Sequence, residues 1–272
     1  MKIPQEQIIA FQEKILSWYQ EHQRDLPWRK ARDPYYIFIS EVMSQQTQIS
    51  RVVPKYKTWI TTLPTITDLA TAPVSQVLQL WSGLGYNRRA LNLKKTAEII
   101  VRDFGGKFPQ KEAELLSLPG IGQYTSRAIL CFAFDQQVAV VDTNVRKVIV
   151  TQLLNEESLD DPKTLQAIAE QLVPKGRAYE WNQALMDYAA TVLKKEKITI
   201  QKQSKFIGSH RYYRGQILKI LLAKKQISIK DIGGLIKKDY TTREREWLEK
   251  LLNELIAEGF ISNTKGVIRL SV

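Results

Sequence analysis

The sequence predicts a mainly α-helical protein: two helical lobes followed by a small domain of three helices and a β-hairpin. Three observations carry that expectation. Apolar residues recur at helical spacing from Gln5 to about Leu193, with Gly, Pro and Asn breaks between segments and no strand-rich stretch among them. From Lys194 to about Ser209 the composition shifts to lysine, glutamine and serine, which reads as a basic linker. Beyond it, helical spacing resumes and ends in two short apolar runs around Asn263-Thr264-Lys265-Gly266. The domains are therefore expected at 1–193, with linker 194–209 and a separate domain 210–272. So many helices do not pack easily into one bundle, and two lobes with a cleft are the natural arrangement for the first.

Each element has its own signal. Ile8, Phe11, Ile15 and Trp18 form the apolar stripe of a first amphipathic helix. Asp33-Pro34 supplies an N-cap and a first-turn proline for a helix running to about Val52. Further helices are expected at Val74–Trp81, Arg88–Phe104, Glu112–Ser117, Tyr124–Phe134, Asn144–Leu153, Pro162–Leu172 and Trp181–Leu193. Between two of them lies Leu118-Pro119-Gly120-Ile121-Gly122. Pro119 stops the first helix, while Gly120 and Gly122 permit φ > 0 and close backbone approach. Amides at the start of the next helix are then free for a phosphate, a helix-hairpin-helix pattern; a plain tight turn is the alternative. After the linker, helices are expected at Tyr212–Lys224, Ser228–Lys238 and Thr242–Glu258, with strands at Phe260–Ser262 and Val267–Leu270. That is the outline of a winged-helix domain. Arg211, Arg214, Lys224, Lys225, Lys237, Lys238, Arg243 and Arg245 favour DNA contact there over protein docking.

Composition narrows the function. With 40 Lys and Arg against 28 Asp and Glu, the net charge of +12 points to a polyanion such as nucleic acid. Cys131 is the single cysteine, which excludes an internal disulfide, a cysteine-ligated iron–sulfur cluster and a Cys-rich zinc site. No metal site and no cofactor are expected. The N-terminal segment mixes Glu6, Glu13 and Lys14 with apolar residues, unlike a signal peptide, and no run of eighteen apolar residues suits a membrane. The expectation is a cytoplasmic, DNA-facing monomer.

Two carboxylates stand out. Glu41 interrupts the apolar run from Tyr35 to Met43. A surface glutamate is the ordinary reading, but a carboxyl held against apolar neighbours stays protonated near neutrality, as a general acid must. Gln45 and Gln46 follow it with amides able to enter a base stack. Asp142 follows the apolar run Val138–Val141 and precedes a helix, so it is an N-cap candidate. A carboxylate so placed also suits stabilisation of an oxocarbenium ion.

Ser40-Glu41-Val42-Met43-Ser44-Gln45-Gln46-Thr47, Gly83-Leu84-Gly85-Tyr86, Leu118–Thr125 and Val141-Asp142-Thr143-Asn144-Val145 together resemble the helix-hairpin-helix DNA glycosylases, most closely the adenine DNA glycosylase (MutY-type) branch. Leu26-Pro27-Trp28-Arg29 and Trp181–Asp187 extend the resemblance over roughly residues 5–193. It implies a two-lobed glycosylase fold that removes adenine mispaired with 8-oxoguanine or guanine in duplex DNA. Glu41 would protonate the adenine ring, and Asp142 would stabilise or trap the sugar cation. Tyr124 would hydrogen-bond Asp142, and Asn144 would order the site and its water. Trp28 and Arg29 would line the base pocket. Gln45, Gln46 and Tyr86 would engage the duplex, the last two as wedges where the base flips out. Gly120, Gly122 and Gln123 would hold a phosphate. Relatives that cleave the backbone carry a lysine where Tyr124 stands, so no lyase activity is expected.

The chain departs from the family in three ways. It lacks the four cysteines of the usual iron–sulfur cluster, so a clusterless variant is expected. The segment 210–272 is too small for the Nudix-like domain that reads 8-oxoguanine. Ser44 stands where the adenine branch commonly has leucine. Thymine or uracil excision opposite guanine is therefore an alternative, and a non-catalytic mismatch sensor a second one. Glu41 with Gln45-Gln46 leans towards adenine.

Overall fold

The computed structural model describes residues 2–154, 161–193 and 205–271. In chain order its helices are α1 Gln5–His22, α2 Pro34–Ser44, α3 Ile49–Thr62, α4 Ile66–Thr71, α5 Val74–Trp81, α6 Arg88–Phe104, α7 Glu112–Leu116, α8 Gln123–Phe134, α9 Thr143–Ile149, α10 Pro162–Gln171 and α11 Ala178–Thr191. Then follow α12 His210–Lys224, β1 Gln226–Ser228, α13 Ile229–Ile236, α14 Arg245–Glu258, β2 Ile261–Thr264 and β3 Val267–Leu270. The protein is mainly α-helical, and no helix among the described residues is long and apolar enough to cross a membrane. Most of the expected linker, 194–204, lies outside the described residues.

Two compact units emerge, and they do not follow a boundary at residue 193. One comprises Met1–Ile49 with Lys107–Thr199, the other Ser50–Gly106 with Ile200–Val272. In the first, α1, α9, α10 and α11 close around Ile15, Val148, Ile168, Leu172 and Trp181. Phe11 meets Trp181 edge to face at 5.7 Å, a geometry that suits the ring quadrupoles. The helix α2 packs on α8, and every residue from Ile37 to Met43 is buried, including Ser40 and Glu41. A helix apolar on nearly all sides must be enclosed, and this one carries a carboxyl inside with it.

The expected helix from Pro34 to Val52 is in fact two. Asp33 caps it, accepting from Tyr35 N at 2.8 Å, but it ends at Ser44. There Thr47 N donates to Ser44 O at 3.2 Å across a tight turn, with Gln46 at φ 52°. That left-handed position normally takes glycine, so the break was not legible from residue type. The chain resumes as α3. Two helices, α3 over most of its length and α4, were not expected at all, although Thr65 and Asp68 form a reciprocal capping box for α4.

In the second unit, α4 and α5 pack on α6, with Trp59 and Trp81 edge to face at 5.9 Å. The C-terminal helices α12–α14 enclose Leu221, Ile232, Leu251, Leu255 and Ile268. Their sheet has three strands rather than two, in the antiparallel order β1-β3-β2. The strand β1, three residues long, was too short to leave a periodic signal. Lys265 and Gly266 form the two-residue hairpin turn at φ 51° and 79°, as a right-twisted ribbon requires. Lys95 on α6 donates to the carbonyl of Glu258 at 3.1 Å, a cation at the negative end of α14.

Candidate active site

Burial decides the chemistry of Glu41. It is only 8 % exposed, and its carboxyl is pushed up to about 7, first by burial and then by the nearby charge of Asp142. A hydrogen bond from Tyr124 and the charge of Arg29 pull the other way without cancelling that rise. The Tyr124 hydroxyl donates to Glu41 Oε2 at 2.6 Å. In the neutral acid the proton therefore sits on Oε1, the oxygen left free for another partner. Tyr124 itself is raised well above the usual phenol range by its own burial and by Glu41, so it remains a donor.

This bond corrects the expectation that Tyr124 would hydrogen-bond Asp142. The packing of α2 on α8 brings the phenol, in the first turn of α8, onto Glu41. Asp142 meanwhile is occupied by its own helix. As N-cap of α9 its Oδ1 accepts from Asn144 N at 2.9 Å and Val145 N at 2.7 Å. Its Oδ2 accepts from the Asn144 side-chain amide at 2.9 Å. Asp142 is half-buried and Asn144 exposed, so the carboxylate is fixed yet reachable.

Residues that the sequence did not single out hold this loop. Asn182, fully buried on α11, accepts from Val140 N at 2.8 Å and donates to Val138 O at 3.0 Å. Its amide thereby anchors the extended segment that ends in Asp142. Arg127 on α8 pairs with Glu112 at 2.8 Å and with Glu170, whose second oxygen accepts from Ala139 N at 3.1 Å. The one available signal was polarity out of pattern: an asparagine inside the apolar face of a helix needs a buried partner.

The hairpin is a proline–glycine turn: Ile121 N donates to Leu118 O at 3.2 Å, and Gly120 takes φ 78°. Gly122 is the N-cap of α8 and has no side chain to cap it, so the amides of the first turn, from Gln123 on, are not capped by a side chain. Gly120, Gly122 and Gln123 are all exposed. Such a terminus suits an anion.

Trp28 and Arg29 are both held in the interior. Trp28 is buried at 7 % exposure, and Arg29 makes a two-pronged bond to Asp187, 2.7 Å on each oxygen. Burial works against the Arg29 charge, but Asp187 more than offsets it and the guanidinium stays above its ordinary range. For Asp187 burial is likewise outweighed by Arg29, and its carboxyl falls below the usual range. Arg29 acts on Glu41 through its field. Gln45 is half-buried, its amide 3.3 Å from Thr125 Oγ1, whereas Gln46 is exposed. Tyr86 belongs to the second unit, exposed at 44 % and at φ 48°. Below it Trp81 Nε1 donates to Gly85 O at 2.8 Å, and the Arg89 guanidinium lies 5.6 Å from the Tyr86 ring. The two residues expected to wedge thus share a left-handed backbone that a non-glycine residue adopts only at a cost.

A proline–glycine turn followed by a helix with no side-chain cap has the form of a helix-hairpin-helix. Residues 39–175 match the family described as HhH-GPD superfamily base excision DNA repair protein, and the chain belongs to that family. It is 39 % identical to the adenine DNA glycosylase of Buchnera aphidicola subsp. Baizongia pistaciae, over 68 % of this chain and 53 % of that protein. With the adenine DNA glycosylase of Mycolicibacterium smegmatis the identity is 42 %, over 66 % and 62 % respectively. The chain thus spans roughly half to three fifths of these relatives' length. The solved structure of a thermostable thymine-DNA glycosylase superposes with a TM-score of 0.66 at 33 % identity, covering 71 % of this chain and 90 % of that one.

Proposed function

We propose that the protein is a monofunctional DNA glycosylase that hydrolyses the bond between adenine and deoxyribose where adenine is mispaired with 8-oxoguanine or guanine. The observation that carries this reading is the buried Glu41 carboxyl, which titrates at about 7 and has one oxygen already held by Tyr124. A carboxyl poised there is half protonated at neutral pH and can give a proton from Oε1 to a purine ring nitrogen. The glycosidic bond then breaks with its electron pair going to the neutralised base. Positive charge develops on the sugar, facing the Asp142 carboxylate, until water adds and loses its proton. Phosphates flanking the flipped nucleotide would sit on the hairpin amides at Gly120, Gly122 and Gln123, while Gln46 and Tyr86 would fill the vacated stack. Two adenine DNA glycosylases among the relatives support the choice of base.

A phenol cannot form a Schiff base, so no strand cleavage by β-elimination is expected through Tyr124. The four-cysteine cluster common in this family does not fit this chain: Cys131 is the only cysteine, buried, with burial pushing its thiol up to about 12. Activity should therefore be independent of iron.

Removal of thymine or uracil opposite guanine is the second reading, favoured by the likeness to the thymine-DNA glycosylase structure. One experiment separates them: single-turnover cleavage of end-labelled duplexes holding A:8-oxoguanine, A:G, T:G and U:G pairs, with and without alkali. Strand breaks at the mispaired adenine that appear only after alkali support the proposal, because alkali cleaves the abasic site that base release leaves. Release confined to T:G or U:G replaces it with the second reading, and breaks without alkali refute monofunctional action.

A further inference from the structure

In a winged helix the DNA-reading element is expected to be the second helix of the helix-turn-helix pair, here α14. This one is ill suited to a polyanion. Its outward face is lined by Glu246, Glu249, Lys250, Asn253, Glu254 and Ala257, three carboxylates to one cation. Three of the cations around it are already committed. Arg245 pairs with Glu249 at 2.8 Å, Arg214 with Glu254 at 3.0 Å and Glu258 at 2.8 Å, and Lys237 with Glu244.

The sheet presents the opposite picture. None of its strands carries an acid. Gln226, Arg269 and Ser262 stand opposite one another across β1, β3 and β2, and all three are exposed. Ile268, next to Arg269, points inward and is fully buried, so the alternation sets Arg269 on the solvent face. Lys224 and Lys225 lead directly into Gln226 at one end of the sheet. At the other end Lys265 occupies the hairpin tip, and Ile229 N donates to Gly266 O at 2.9 Å, which brings Lys230 alongside. Lys224, Lys225, Lys230, Lys265 and Arg269 are all exposed, and none has an ion-pair partner among the described residues. The only acid adjoining them in sequence is Asp231, beside Lys230.

We propose that the C-terminal domain grips the phosphate backbone of duplex DNA through the solvent face and two ends of its three-stranded sheet, with α14 turned away from the DNA. Charge complementarity selects the occupant: a polar, acid-free surface ringed by unpaired cations matches a polyphosphate strand without reading base identity. The inference rests on the reading that the protein acts on DNA, but not on which base it removes.

The test is equilibrium binding of the full chain to a short, fully paired duplex across a salt series. The variant K225A/K265A/R269A should bind about tenfold or more weakly and show a log–log salt slope shallower by about two to three, since each phosphate contact contributes about 0.9. R269K alone, which keeps the charge, should bind like wild type, and K250A on α14 should leave affinity and slope unchanged. Thermal melts confirm that each variant is folded. If the triple variant keeps the wild-type affinity and slope, or if K250A flattens the slope in its place, the proposal is overturned. Base release at saturating enzyme is read separately. Full adenine release with an unaltered slope in the triple variant sinks this inference alone. A flattened slope in a protein that releases no base leaves the sheet surface standing and removes the glycosylase reading.

Discussion

Charge is handled in opposite ways around Asp142 and around the C-terminal sheet. In the first region ionic groups are matched to partners that also fix geometry: Arg29 and Arg24 converge on Asp187, and Arg127 bridges Glu112 and Glu170 beneath the segment leading to Asp142. In the second, the cations of the sheet have no ion-pair partner among the described residues, while Arg214, Lys237 and Arg245 near α14 do. Partnered charges inside the protein serve as struts, because a buried ion left alone would cost several kcal/mol. Unpartnered cations at the surface cost little in water and are available for a ligand that brings its own negative charge. Glu41 fits neither group. It is buried without a cationic hydrogen-bond partner among the described residues, and burial shifts it towards its protonated form, with its carboxyl raised to about 7.

The largest test of that comparison is Asp142→Asn. The asparagine oxygen can still accept from the first-turn amides of α9, so the helix should keep its cap and the melting temperature should barely move. The negative charge proposed to face the sugar is lost. Base release should fall by about two to three orders of magnitude, roughly 3–4 kcal/mol, while duplex binding persists. Near-wild-type single-turnover rates in a folded Asp142→Asn protein would falsify the assignment of this carboxylate.

Glu41→Gln comes next, and it should separate activity from stability. In the unfolded chain Glu41 titrates near its ordinary value of 4.5, whereas in the folded protein it titrates at about 7. Between those values the folded state holds the extra proton. Folding stability is therefore full below about pH 4.5, declines as pH rises towards about 7, and stays reduced above it. The penalty at pH 8 is on the order of 3 kcal/mol. Glutamine escapes it, so the variant should be inactive on adenine yet melt higher than wild type at pH 8, with the gain vanishing near pH 4. The wild-type excision rate should itself fall as pH rises through about 7, because the protonated acid is consumed. A Glu41→Gln protein with no pH-dependent gain in melting temperature would mean that the carboxyl is solvated after all.

Much of this arrangement was legible in the sequence, because it depends on residue types that break a pattern. A glutamate inside Tyr35–Met43 and an aspartate between an apolar run and a helix both announce themselves. The Leu118–Gly122 hairpin does so through Pro119 and Gly120, whose backbone preferences are local. The partner of Tyr124 was not legible, since it depends on how α2 packs against α8, a contact eighty-three residues apart in the chain. Asn182 and Glu170 were missed for the same reason: each does its work on a segment more than thirty residues away. The break at Ser44 was hidden because Gln46 adopts a backbone that its residue type disfavours. In the C-terminal domain the periodicity gave the helices, but a count of basic residues could not show which of them are already neutralised.

A smaller effect is expected for Tyr124→Phe, which tests the bond linking the two helices. Its hydroxyl lowers the carboxyl of Glu41 from where burial alone would put it. Without it that carboxyl should rise further, so the basic limb of the pH–rate profile should move to higher pH. The rate on the acid side should fall by less than about tenfold, in line with a single hydrogen bond of roughly 1 kcal/mol. A basic limb that moves to lower pH would show that the phenol donates to something other than Glu41 during the reaction.

The smallest effect on stability should come from Gln46. Its left-handed backbone carries a strain of about 1 kcal/mol or somewhat more, which glycine would relieve. Glycine also adds unfolded-state entropy worth roughly 0.5–1 kcal/mol against folding, so Gln46→Gly should melt within a few degrees of wild type. Gln46→Ala keeps the strain and removes the same amide. If the side chain is what fills the stack behind a flipped base, both variants should slow base release alike, and a duplex with an abasic partner at the mismatch should narrow the deficit. If the strained turn itself matters, because it holds the tip rigid before DNA arrives, Gln46→Gly should be slower than Gln46→Ala although it is no less stable. An alanine variant as fast as wild type would remove Gln46 from the wedge and leave that role to Tyr86 alone.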